Sequence, residues 1–72
     1  MKGVIKMLTV DKKKIETLQA RNGIPSEELP TITGLSWLTI QNMKNGKPCR
    51  PTSVHKLAKA LGVDVTELLK GD

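Results

Sequence analysis

The chain has 72 residues, with 12 Lys and Arg against 7 Asp and Glu, for a formal net charge of +5 and a pI near 9.7. That length fits one small domain, and a single aromatic residue, Trp37, leaves the core to nine Leu, five Ile and five Val. One Cys (Cys49) and one His (His55) exclude an internal disulfide, leave no metal constellation and imply no cofactor, while the lack of a membrane-length apolar run or a signal-peptide pattern predicts a cytoplasmic protein with no membrane partner.

Residues 1–10 include Val4, Ile5, Met7, Leu8 and Val10 in partial alternation, which predicts a short strand or extended arm ahead of a helical domain over residues 11–72. The first helix begins at Asp11, whose carboxylate can accept from the unpaired amides of the opening turn. It carries Ile15 and Leu18 and stops at Asn22-Gly23. A short second helix runs from Pro25 or Ser26 to Ile32, with Pro30 in its first turn or just beyond, since a mid-helix proline costs ~3 kcal/mol. After Gly34, Ser36 caps a third helix, with Leu35 placed to staple against Ile40. Asn45-Gly46 closes it. Past Pro48 and Pro51, Thr52 caps a fourth helix whose Val54, Leu57, Ala58 and Leu61 form an i, i+3, i+4, i+7 stripe ending at Gly62. Asp64 and Glu67 form an acidic capping box for a fifth helix, stapled by Val63 and Leu68. The expected architecture is all-α, five short helices with Ile15, Leu18, Leu29, Ile40, Met43, Leu57, Leu61 and Leu68 buried together.

The charge is unevenly placed. Between Glu28 and Asp64 there is no acid, and Lys44, Lys47, Arg50, Lys56 and Lys59 fall in that gap, with a second cluster at Lys12–Lys14. Such a stretch reads either as a solvated lysine-rich face or as an electrostatic footprint for phosphates. Charge alone does not separate nucleic acid from an acidic protein. His55, expected on the outer face of the fourth helix, has no carboxylate pair or Gly-rich phosphate loop beside it, which argues against an enzyme. Cys49, in a basic loop that could lower its pKa, is expected to be a reduced surface thiol.

A short helix, a glycine turn and a well-capped helix form a helix-turn-helix candidate. With Ile40 and Met43 buried, about 100° per residue turns Leu38 and Asn45 away from the core, flanked by Gln41 and Asn42. Trp37 and Lys44 lie at the boundaries. Amides pair bidentately with adenine, and an apolar side chain meets a thymine methyl in the major groove, so this face suits base reading. Its competing reading is core packing or a protein interface for Trp37 and Leu38.

Residues 15–69 resemble the Cro/repressor-type (XRE-like) helix-turn-helix domain of phage and bacterial regulators. The resemblance is carried by Glu28-Leu29, Gly34-Leu35-Ser36, Thr39-Ile40, Asn45-Gly46-Lys47, Pro51, Leu57-Ala58-Lys59-Ala60-Leu61-Gly62-Val63 and Glu67-Leu68-Leu69. It implies a five-helix fold of the lambda-repressor type and transcription regulation through double-stranded operator DNA. Trp37, Leu38, Gln41 and Asn42 would read bases. Ser26, Ser36, Lys44, Asn45, Lys47 and Arg50 would meet the phosphate backbone. Pro30, Ser26 with Glu27-Glu28 after it at the DNA-facing end, Trp37 and Leu38 depart from the usual pattern of the family. They support an alternative, an antirepressor that binds a repressor protein through the same surface. The chain is similar in size to the small phage relatives that act in this way, so it resembles a Cro-like or antirepressor protein, with a homodimer left open.

Overall fold

The computed structural model describes residues 6–71, so residues 1–5 of the expected arm lie outside the described residues. Among those described, the chain forms four α-helices, two single 3₁₀ turns and two isolated antiparallel bridges. Helix α1 (Lys12–Asn22) opens at Asp11, whose carboxylate accepts the Lys13 N–H at 2.9 Å. It closes at Gly23, whose φ of 65° is one that L side chains rarely adopt.

The expected second helix divides into a 3₁₀ turn, Ser26–Glu28, and helix α2 (Leu29–Thr33). Pro30 explains the division. It has no N–H to return to the Ser26 carbonyl four residues back, and that carbonyl instead accepts from Leu29, three residues on. Helix α3 (Trp37–Lys44) is capped by Ser36 as expected, with the Thr39 N–H 3.1 Å from its hydroxyl.

Helix α4 (Pro51–Leu61) starts two residues earlier than the sequence suggests. Thr52 is not its cap. Pro51 takes the first helical position, where its missing N–H costs nothing, and holds Arg50 extended as the residue before a proline.

The fifth helix is replaced by a single 3₁₀ turn, Val65–Glu67. Asp64 does cap it, accepting from the Thr66 N–H and hydroxyl. The helix cannot continue because the arm takes its backbone: the Leu68 carbonyl accepts from Asp11 at 2.8 Å, Lys70 donates to Thr9 at 3.1 Å, and Val10 bridges Leu69. Among the described residues the fold is therefore all-α with four helices rather than five, and residues 8–10 of the arm are extended.

All eight expected core residues are buried, joined by Val10, Cys49, Val54 and Ala58. Ile40 and Met43 are buried while Gln41 is half-buried, which places α3 in the expected register. Helix α2 packs against both α3 and α4, and α1 packs against the same two. The Asn22 side-chain amide ties α1 to α4 by donating to the Leu18 and Leu61 carbonyls at 2.8 and 3.2 Å. Leu35 and Val63, the two expected staple residues, lie half-buried against this core.

Cys49 corrects the surface-thiol expectation. Its bridge to Leu8 draws it inside, 7% exposed, with its Sγ 3.2 Å from the Leu8 carbonyl it donates to. Burial pushes the thiol's pKa up rather than down.

Candidate nucleic-acid interface

The turn between α2 and α3 is held by a buried threonine. Thr33 donates its hydroxyl back to the Leu29 carbonyl at 2.6 Å and accepts the Leu35 N–H at 3.1 Å. Gly34 supplies a left-handed φ of 75° and returns its N–H to Pro30 at 3.0 Å. Both polar requirements of the tight turn are met inside the protein. The angle between the two helices is thereby set by backbone and threonine together, not by surface side chains.

On α3, the residues that the helical period turns from the core are those the structure exposes. Leu38 is 70% exposed and Trp37 48%, Asn45 is exposed, and Gln41 and Asn42 are half-buried along the same face. No acidic residue lies on this helix. Leu38 and Trp37 thus present apolar surface to solvent side by side on this helix.

Ser26 and Lys44 come together beside this helix. The Ser26 hydroxyl accepts from the Gln19 amide and from the Lys44 ammonium, each at 3.1 Å. Two acceptances use both lone pairs of the hydroxyl, which leaves its own proton to donate outward. Ser36, at the start of α3, is exposed, and its hydroxyl is shared with Thr39, 2.8 and 3.1 Å from that residue's hydroxyl and N–H. Asn45, Lys47 and Arg50 are all exposed in the loop joining α3 to α4. That loop is itself folded back on α3: Asn45 donates to Gln41, Gly46 to Met43 and Lys47 to Asn42, at 2.9 to 3.1 Å. His55 is exposed on α4.

Gln19 is the residue that sequence reasoning missed. It is 6% exposed, and its amide donates to the Ile24 carbonyl at 3.2 Å as well as to Ser26, while its Oε1 is buried without a partner. A signal was present. Gln19 stands four residues after Ile15 and next to Leu18, on the apolar stripe of α1, where a polar side chain must find hydrogen-bond partners. Among the described residues no group of His, Cys, Asp and Glu could hold a metal ion, and no helix is long and apolar enough to cross a membrane.

Two comparisons with known proteins bear on this surface. Residues 14–71 match the family model described as the Cro/C1-type HTH DNA-binding domain. No solved structure matches the chain.

Proposed function

The chain belongs to the Cro/C1-type helix-turn-helix DNA-binding family, and from that premise we propose that it is a Cro-like, sequence-specific transcriptional regulator. It inserts residues 36–45 into the major groove of a double-stranded operator. Trp37, Leu38, Gln41 and Asn42 meet base edges. Ser26, Ser36, Lys44, Asn45, Lys47 and Arg50 hold the phosphates on either side, and Ser26 donates the one proton its two incoming hydrogen bonds leave free.

The observation that carries this reading is the composition of the exposed α3 face, two apolar residues and two amides with no acid. The same composition points to A·T pairs. Amides pair with adenine and apolar groups meet the thymine methyl, whereas the commonest guanine readers are Arg and Lys, and Lys44 is turned to Ser26. Replacing thymine by deoxyuridine at the pair facing Leu38 removes that methyl alone. About 0.8 kcal/mol per buried methyl-sized group corresponds to a loss of roughly fourfold in affinity. Leu38→Ala should abolish the difference between the two duplexes. An unaltered protein that binds both equally at every thymine would contradict the reading of Leu38.

One observation favours a second reading, in which the chain is an antirepressor: Trp37 and Leu38 are exposed side by side, as anchors of a protein interface would be. Truncating such an anchor commonly costs ≥2 kcal/mol, and partner binding would depend weakly on salt. Titrating Leu38→Ala against operator DNA and against a repressor protein separates the two.

A further inference from the structure

The phosphate-facing residues named above come from the helix-turn-helix and the loop after it. Beside them, the C-terminal end of α3 opens into a cleft of about 410 Å³ of which those residues supply only Lys44 and Asn45. Its walls bring together parts of the chain that are distant in sequence: Asp11, Lys12 and Lys13 from the start of α1, Lys44 and Asn45 from the end of α3, and Lys70 from the C-terminal segment. The pairing of Lys70 N–H with Thr9, and of Asp11 N–H with Leu68, is what carries Lys70 to the start of α1.

Among the described residues, Lys12, Lys13, Lys44 and Lys70 thus line one concave surface with a single carboxylate, and of these Lys44 has its ammonium on the Ser26 hydroxyl. That carboxylate is already engaged, accepting the Lys13 N–H at 2.9 Å as the cap of α1. Lys14, by contrast, turns away and donates to the Leu69 carbonyl. Lysines gathered in a concave surface focus positive potential, which draws an anion. The cleft shares Lys44 and Asn45 with the proposed DNA surface, so an anion there is continuous with a duplex lying across α3.

We propose that this cleft is a second phosphate-binding site, occupied by the backbone of the same DNA duplex where it runs past the step read by α3. The proposal rests on the DNA-binding reading above and extends it. Lys12, Lys13 and Lys70 become backbone contacts, and the seam between the arm and the C-terminal segment acquires a role, because it is what holds Lys70 over the start of α1.

The test is a salt titration of the full chain on operator and on random-sequence duplexes, for the unaltered protein, Lys47→Ala, the double variant Lys12→Ala/Lys13→Ala, and Lys70→Ala. All these side chains are exposed, and the circular dichroism of each variant checks that its helices are retained. Each lost phosphate contact lowers the slope of log affinity against log salt by about 0.9. The fall in affinity between about 50 and about 200 mM salt then shrinks by roughly 3.5-fold per contact. The cleft variants should show this loss equally on both duplexes, and hydroxyl-radical footprints should lose backbone protection at one edge of the site only. If the cleft variants keep the full slope and footprint while Lys47→Ala flattens the slope, the cleft is not on the DNA and the helix-turn-helix reading survives. If the unaltered protein shows no salt-dependent DNA binding, both readings are overturned together.

Discussion

Cys49 illustrates how one backbone contact sets the chemistry of a side chain. Its amide and carbonyl are both paired with Leu8, at 2.7 and 2.8 Å, which buries the thiol among aliphatic residues and disfavours the thiolate that does its chemistry. Alkylation of the folded protein by iodoacetamide near neutral pH should therefore be much slower than in denaturant. A rate equal to that of the unfolded chain would mean that the arm does not seat on this residue. Asp64 is the opposite case, an exposed carboxylate held below the ordinary range by the Thr66 hydroxyl first and by backbone N–H groups after it. A group depressed in this way stabilises the fold above its unfolded pKa, near 3.9. That contribution is lost as pH falls through the lower folded value. Asp64→Asn should lower the thermal midpoint at pH 7, and the difference from the unaltered protein should close as the pH drops below about 4. A difference that stays constant down to pH 2 would contradict this sign.

At the scale of elements, the parts legible in the sequence were those written in local chemistry. Asp11, Ser36 and Asp64 cap where a capping residue is expected, and Gly23, Gly34 and Gly62 end α1, α2 and α4 with left-handed φ. The apolar stripe of α4 placed four core residues correctly. What was not legible was decided by partners far along the chain. Asp64 and Glu67 describe a good helix start, but whether a helix follows depends on Leu68 and Lys70, whose backbone groups the arm engages. Cys49 looks like a loop residue until Leu8 covers it. Of the candidate site, the face of α3 could be read from its period. The meeting of Gln19, Ser26 and Lys44, and that of Lys12, Lys13 and Lys70, could not, because each joins segments that are separated in sequence. The caps also carry energy that can be measured. Ser36→Ala removes the acceptor for the Thr39 N–H and should cost ~1 kcal/mol of stability. Gly34→Ala meets no neighbouring atom within 4 Å but keeps a φ of 75°, so backbone strain alone should cost roughly 1–2 kcal/mol. Denaturant titration reads both, and a neutral Gly34→Ala would mean that the turn relaxes out of the left-handed region.

Across the whole molecule, residues 8–10 of the arm are part of the fold. Val10 is 1% exposed in the core, and residues 8–11 bond to both the loop before α4 and the C-terminal segment. These contacts close the bundle on the side next to the end of α3, so that stability and the proposed phosphate surface share a seam. Val10→Ala should cost ~1.5 kcal/mol or more from lost burial and loosen Lys70 at the same time, and amide exchange at Lys70 should speed up with it. Unchanged exchange would separate the seam from the core. Lys47 and Arg50 stand exposed in the loop after α3 and Lys12 and Lys13 at the start of α1, while the acids Glu27 and Glu28 stand exposed in the turn directly before α2.

The central claim is that α3 reads bases through its amides, and site selection from a random duplex pool, followed by titration of Gln41→Ala on every single-base change of the selected site, addresses it most directly. The account predicts that the unaltered protein selects a site containing A·T pairs. Gln41→Ala should lose ~1–3 kcal/mol of discrimination at one position of that site, with binding to random DNA nearly intact. A Gln41→Ala protein that keeps the full preference at every position would contradict it.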